Sequence, residues 1–298
     1  MNPKNKQEIR DAVRDKYATI ARDNSAATCC ETIDTLSSAT QALSCCGPSN
    51  MSAEQSVSES SGCAPTDASA EQVSTIMGYK QEDIKDVPEG ANMGLGCGNP
   101  VALASLRPGE TVVDLGSGGG FDCFLAAKAV GGSGKVIGVD MTPDMINKAR
   151  SNIEKIEANN VDFRLGEIEN LPIADNTADI IMSNCVINLS PDKQNVYNEA
   201  FRVLKPGGRL AISDVLTVAE LPDNIKNDLA LVGACVGGAA TIATTRELLE
   251  KAGFEDVRIE LNDHSRELIR VWDPGKSEKV TDYIFSASIQ AFKPALSM

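Results

Sequence analysis

From Thr111 onward, short β-branched runs largely alternate with longer helical stretches, and this alternation confines the chain to few architectures. The runs TVVDLG (111–116), KVIGVD (135–140), VDFRLG (161–166), ADIIMSN (178–184) and RLAISD (209–214) read as strands. FDCFLAAKAV (121–130), PDMINKARSNIEKIE (143–157) and NVYNEAFRVL (195–204) read as helices. Such an order implies a parallel, doubly wound α/β sheet covered by helices. A helical region over 222–252 follows, then a strand DVRIEL (256–261). The run YIFSASIQAF (283–292) fits a final strand, with a helix as the open alternative. No internal repeat is visible.

Ahead of the alternating block the chain is different. An opening helix runs to about Tyr17, and residues 23–71 are rich in Ser, Ala, Thr and Cys with little apolar periodicity. A short helical region spans Glu71–Lys85. The organisation expected is an N-terminal helix with a Cys-rich segment (1–75), a Rossmann-like cofactor domain (76–220) and a smaller C-terminal region (221–298). The net charge is -14. Phosphate backbones and anionic bilayers need Lys and Arg for binding, so nucleic acid and membrane partners are not expected. No apolar run approaches the ~18–20 residues that span a bilayer, and the polar N-terminus lacks a secretory h-region. A cytoplasmic protein with reduced thiols is expected.

Against that background the nine cysteines stand out: Cys29, Cys30, Cys45, Cys46, Cys63, Cys97, Cys123, Cys185 and Cys235. An odd number does not suit a fully paired disulfide framework. Adjacent pairs without any C-x-x-C do not suit ordinary zinc binding. The thiols are therefore available for a soft ligand or for redox chemistry. Cys97 and Cys235 sit among glycines (GLGCGNP and GACVGG), which permit close approach of a ligand. Cys185 ends the fourth strand, where a buried small hydrophobe is the plain alternative. Cys123, inside the helix at 121–130, reads as structural.

The turn Asp114-Leu115-Gly116-Ser117-Gly118-Gly119-Gly120 joins a strand to a helix, at the position where α/β sheets bind cofactors. It departs from G-x-G-x-x-G at Phe121, which weakens a pyrophosphate reading. Asp140 ends the next strand, 22 residues beyond Gly118, where a carboxylate accepts from ribose hydroxyls. Helix capping is the alternative role, although Thr142-Pro143 makes the better cap.

The run VDLGSGGG resembles motif I of class I S-adenosylmethionine methyltransferases. That likeness implies cofactor contacts from Asp114, Gly116, Ser117, Gly118, Asp140, Met141, Glu167, Ile168 and Asn184. Together with the block 77–100, the runs SNCVINLSPDK and GACVGGA and the tail HSRELIRVWDPG, it makes the chain similar to the arsenite methyltransferase family over roughly residues 9–294. The resemblance implies that Cys97, Cys185 and Cys235 ligate trivalent arsenic. A further family cysteine takes part in redox cycling; Cys29, Cys30, Cys45, Cys46 and Cys63 compete for that place. Arsenite is soft and prefers thiolates. Its lone pair needs no general base, and His264, the one histidine of the chain, reads as a surface residue. Thioredoxin or glutathione is expected to sustain turnover. A quinone or sterol carbon methyltransferase, a metalloid-sequestering protein and a zinc protein are the rival readings.

Overall fold

The structure, a computed structural model, describes residues 3–23, 69–156, 158–226, 228–262, 265 and 283–295. Five N-terminal cysteines (Cys29, Cys30, Cys45, Cys46, Cys63) and His264 lie outside the described residues.

Helix α1 (Pro3–Asp23) is followed by α2 (Ala70–Ile76), α3 (Gln81–Lys85) and α4 (Pro100–Ala104). The alternating block then gives β1 (Thr111–Leu115), α5 (Phe121–Val130), β2 (Lys135–Asp140), α6 (Pro143–Ile156), β3 (Val161–Leu165) and β4 (Ala178–Asn184). A 3-10 turn (Ile187–Leu189), α7 (Lys193–Val203) and β5 (Leu204–Thr217) complete it. The C-terminal part holds α8 (Asp223–Lys226), α9 (Leu229–Gly233), β6 (Ala240–Thr241), α10 (Ile242–Ala252), β7 (Glu255–Leu261) and β8 (Ile284–Phe292).

Three local expectations change. Helix α1 runs on past Tyr17 because Ala18 and Ala21 extend the buried stripe begun by Ile9 and Val13. The region 71–85 is two helices, broken where Tyr79 turns inward to donate its hydroxyl to Asp122. The region 222–252 is three helices and a short strand; Cys235 takes a left-handed backbone just after α9, which stops a helix there. The run at 283–292 resolves as a strand, since it pairs antiparallel with both β5 and β7.

The sheet order is β3-β2-β1-β4-β5-β8-β7, with β6 also paired to β5. Strands β3 through β5 in that order are parallel, with helices packed on both faces of the central strands. Val113, Leu115 and Ile181 pack with Val196, Ala200 and Leu249 of α7 and α10 on one face. Val112, Ile180 and Met182 pack with Phe124, Ala127 and Ile146 of α5 and α6 on the other. β1 has β2 on one side and β4 on the other, so successive crossovers leave in opposite directions. That switch point opens a crevice at the carboxyl ends of β1 and β4. No helix among the described residues is long and apolar enough to cross a membrane.

Candidate active site

The turn after β1 is built for close approach. Gly116 has φ +72, and a Cβ there would stand 2.4 Å from Val186 Cγ2, the residue following Cys185. The Asp140 carboxylate accepts from the backbone N–H of Gly118 at 3.0 Å and of Thr142 at 2.8 Å. It thereby ties the glycine turn to the end of β2, and each oxygen keeps a lone pair for a further donor. Burial raises its pKa. Ser117 Oγ is buried with no hydrogen-bond partner among the described residues. An orphaned hydroxyl beside a carboxylate and a bare glycine backbone fits a nucleoside with hydroxyl and amine groups.

Behind the turn lies a buried polar network. Tyr79 donates to Asp122 at 2.5 Å, and the Cys123 thiol donates to Asp114 at 3.1 Å. Burial and mutual repulsion raise the pKa of Asp114, and burial raises that of Asp122 to about 6. Asn184 is committed to protein partners: its Nδ2 donates to Gly98 O and Asp122, and its Oδ1 accepts from Cys97 N–H at 2.9 Å. It clamps the Cys97 loop to the end of β4. The glycines around Cys97 make this possible, since a Cβ on Gly96 would lie 2.7 Å from Asn184 and one on Gly98 2.8 Å from Ser213 Oγ.

Helix α1 crosses the mouth. Arg10 pairs with Glu169 at 3.3 Å and with Glu167 at 3.4 Å, and Arg14 reaches Glu167 at 3.8 Å. Ile168, between those carboxylates, is buried in the main core. Met141 packs instead into the apolar cluster that holds the thiols.

Cys97, Cys185 and Cys235 share that cluster, far apart in sequence and all buried. The Cys97 and Cys185 sulfurs and an Asp214 carboxylate oxygen lie within 4.8 Å of one another. Cys235 Sγ donates to Cys185 O at 3.0 Å. Cys185 (φ 58) and Cys235 (φ 63) both hold left-handed backbones that cost an L-residue roughly 1–2 kcal/mol. Burial pushes the Cys97 and Cys185 thiols up; a hydrogen bond with Cys185, then burial, does so for Cys235.

A model described as a methyltransferase domain matches residues 106–253. The arsenite methyltransferase of Halobacterium salinarum is 46% identical over 97% of this chain and 68% of that protein. The chain belongs to the arsenite methyltransferase family. Its relative from Aquipseudomonas alcaligenes, also named arsenite methyltransferase, is 42% identical over 69% of this chain, which spans only 60% of that protein. The crystal structure of an arsenic(III) S-adenosylmethionine methyltransferase from Chlamydomonas reinhardtii superposes with a TM-score of 0.57 at 33% identity, covering 77% of this chain and 75% of that one.

Sequence reading missed four residues of this family member's site: Tyr79, Asp122, Asp214 and Lys193. Asp122 stands one residue beyond the motif I glycines, after Phe121, and that position was the available signal. Asp214 lies within β5, three residues before its end, and nothing local marks it as facing thiols. It accepts from Val215, Ile187 and Asn188 N–H groups at 2.8, 3.0 and 3.3 Å, and burial raises its pKa to about 6. Desolvation lowers the neighbouring Lys193 to about 8, while Asp214 pulls the other way.

Proposed function

We propose that this chain methylates trivalent arsenic held by Cys97, Cys185 and Cys235, with S-adenosylmethionine as methyl donor, in arsenic detoxification. The observation that carries the reading is the convergence of three buried thiols at the ends of β4 and β5, beside the glycine turn. A carbon methyltransferase has no use for such a cluster.

In this reading residues 76–220 carry the donor and Cys235, from 221–298, completes the arsenic site. Asp140, Ser117 and the Gly116–Gly118 backbone hold the nucleoside, with Met141, Ile168 and Glu167 around it and Asp114 behind the turn. When bound, S-adenosylmethionine supplies an electrophilic sulfonium methyl. Arsenite binds by exchanging three hydroxyls for three thiols: each thiol proton leaves with a hydroxyl as water. Neutral buried thiols therefore suffice, and no free thiolate has to be stabilised first. Cys235 gives up its bond to Cys185 O when it ligates. Three sulfurs leave the arsenic pyramidal with its lone pair free, so attack on the methyl needs no base. The residues' work is positioning, which can lower a barrier by ~7–11 kcal/mol. Arsenic leaves the step formally as As(V). Two thiols of the N-terminal set restore it by forming a disulfide, which thioredoxin or glutathione reopens.

Incubation with arsenite, S-adenosylmethionine and a thiol, followed by arsenic speciation, is expected to give methylated arsenic. Cys185→Ser should lower that rate at least ~100-fold, the scale of misplacing a reacting group. It should leave binding of S-adenosylhomocysteine intact. Methylation at the wild-type rate by Cys185→Ser would overturn the reading.

A further inference from the structure

We propose that Cys97, Cys185 and Asp214 also form a site for a thiophilic divalent cation, zinc or cadmium, with two thiolates and one carboxylate as ligands. The three ligand atoms are mutually within 4.8 Å, and all three residues are buried. Tetrahedral zinc with bonds of about 2.0–2.3 Å spaces its ligands by about 3.6 Å, a small contraction from this arrangement. Cys235 is not in the set; its thiol is engaged by Cys185, with Sγ donating to Cys185 O at 3.0 Å. Its place falls to water or a fourth ligand from solvent.

The surroundings are those of a prepared cation site. Three backbone N–H groups, of Val215, Ile187 and Asn188, fix the Asp214 carboxylate and leave one lone pair. Cys97 is held at both backbone groups, its N–H by Asn184 Oδ1 and its C=O by Ser286 Oγ. The Cys185 N–H is fixed on Ser213 O at 2.8 Å. Charge also balances. Binding releases two thiol protons to solvent, so a dication with two thiolates and a carboxylate carries one net negative charge. The Lys193 ammonium, held on Asn188 O at 3.4 Å and Ser190 O at 3.0 Å, is a nearby cation that offsets it. Arsenite differs in wanting three sulfurs and no carboxylate, so the two ligands select overlapping but distinct donor sets. The cation site shares Cys97 and Cys185 with the arsenite reading but does not rest on it.

The test uses the full chain with Ser at Cys29, Cys30, Cys45, Cys46 and Cys63, which removes competing thiols. Zinc X-ray absorption is expected to show two sulfurs at about 2.3 Å and oxygens at about 2.0 Å; three or four sulfurs would overturn the site. Cadmium titration, read by its thiolate charge-transfer band, should weaken by at least about tenfold in Asp214→Asn and in Cys97→Ser. Both variants are checked for folding by thermal melts. Cys235→Ser should keep cadmium affinity within about threefold while losing arsenite binding in a parallel titration. Unchanged cadmium affinity in folded Asp214→Asn, or its loss in Cys235→Ser, sinks the cation site. Retained arsenite binding in Cys235→Ser sinks only the arsenite reading.

Discussion

At the scale of single residues, the site is a set of backbone positions that few side chains tolerate. Gly116 shows this most directly. Gly116→Ala sets a Cβ into Val186 and places an Ala at φ +72. The cost should be about 1–3 kcal/mol, visible as a lower urea midpoint. Binding of S-adenosylhomocysteine should weaken with it, since the turn and Val186 must both shift; unchanged binding by calorimetry would count against the turn as cofactor cradle. Residue reading was strong here because glycine needs are local: the turn at 114–120 and the glycines around Cys97 announce close contacts in any fold. It failed at Asp214 and Tyr79. An aspartate in a strand and a tyrosine after a short helix look ordinary until long-range packing gives each its partner.

Among the elements, α1 matters most for access. The opening stretch was readable as a polar helix to about Tyr17, but neither its extension to Asp23 nor where it docks was. It lies across α6, α9 and the 3-10 turn, with Arg10 bridging to Glu167 and Glu169 and Lys6 bridging to Asp192 at 2.7 Å. Glu169 is almost buried, so Arg10→Ala leaves a carboxylate short of a charged partner. The docked helix should lose about 1–3 kcal/mol. Amide exchange should then quicken in residues 9–18 while β1 and β4 stay protected; equal exchange in both proteins would mean the pairs contribute nothing. The parallel strands were legible from their continuous apolar runs. β8 was ambiguous because only its middle alternates: Ala287, Ile289 and Ala291 are buried between half-buried Ser288, Gln290 and Phe292, while the apolar pairs Ile284-Phe285 and Ala291-Phe292 at its ends break the period of two.

For the whole molecule, buried ionisable groups set the response to pH. Asp122 and Asp214, raised to about 6, hold protons in the folded chain that the unfolded chain has released above ~4. Unfolding sheds protons in that window, so stability falls as pH rises from about 4 to about 6. Lys193 acts in the other direction: unfolding takes up a proton between about 8 and ~10.4, and stability climbs there. At the acid end Glu110 and Glu199, which their arginine partners hold below the usual carboxylate range, take up protons, and the fold loses stability as pH falls through that range. Urea midpoints stepped across pH should show the dip between 6 and 8, and Asp214→Asn should make it shallower; a flat profile would contradict these environments. The left-handed cysteines have a wider consequence. Glycine or asparagine would sit more comfortably at 185 and 235, so any search that ranks variants by folding free energy will discard the sulfurs early. A thermally hardened descendant of this chain would keep its shape and forget its chemistry unless those two positions were frozen by hand.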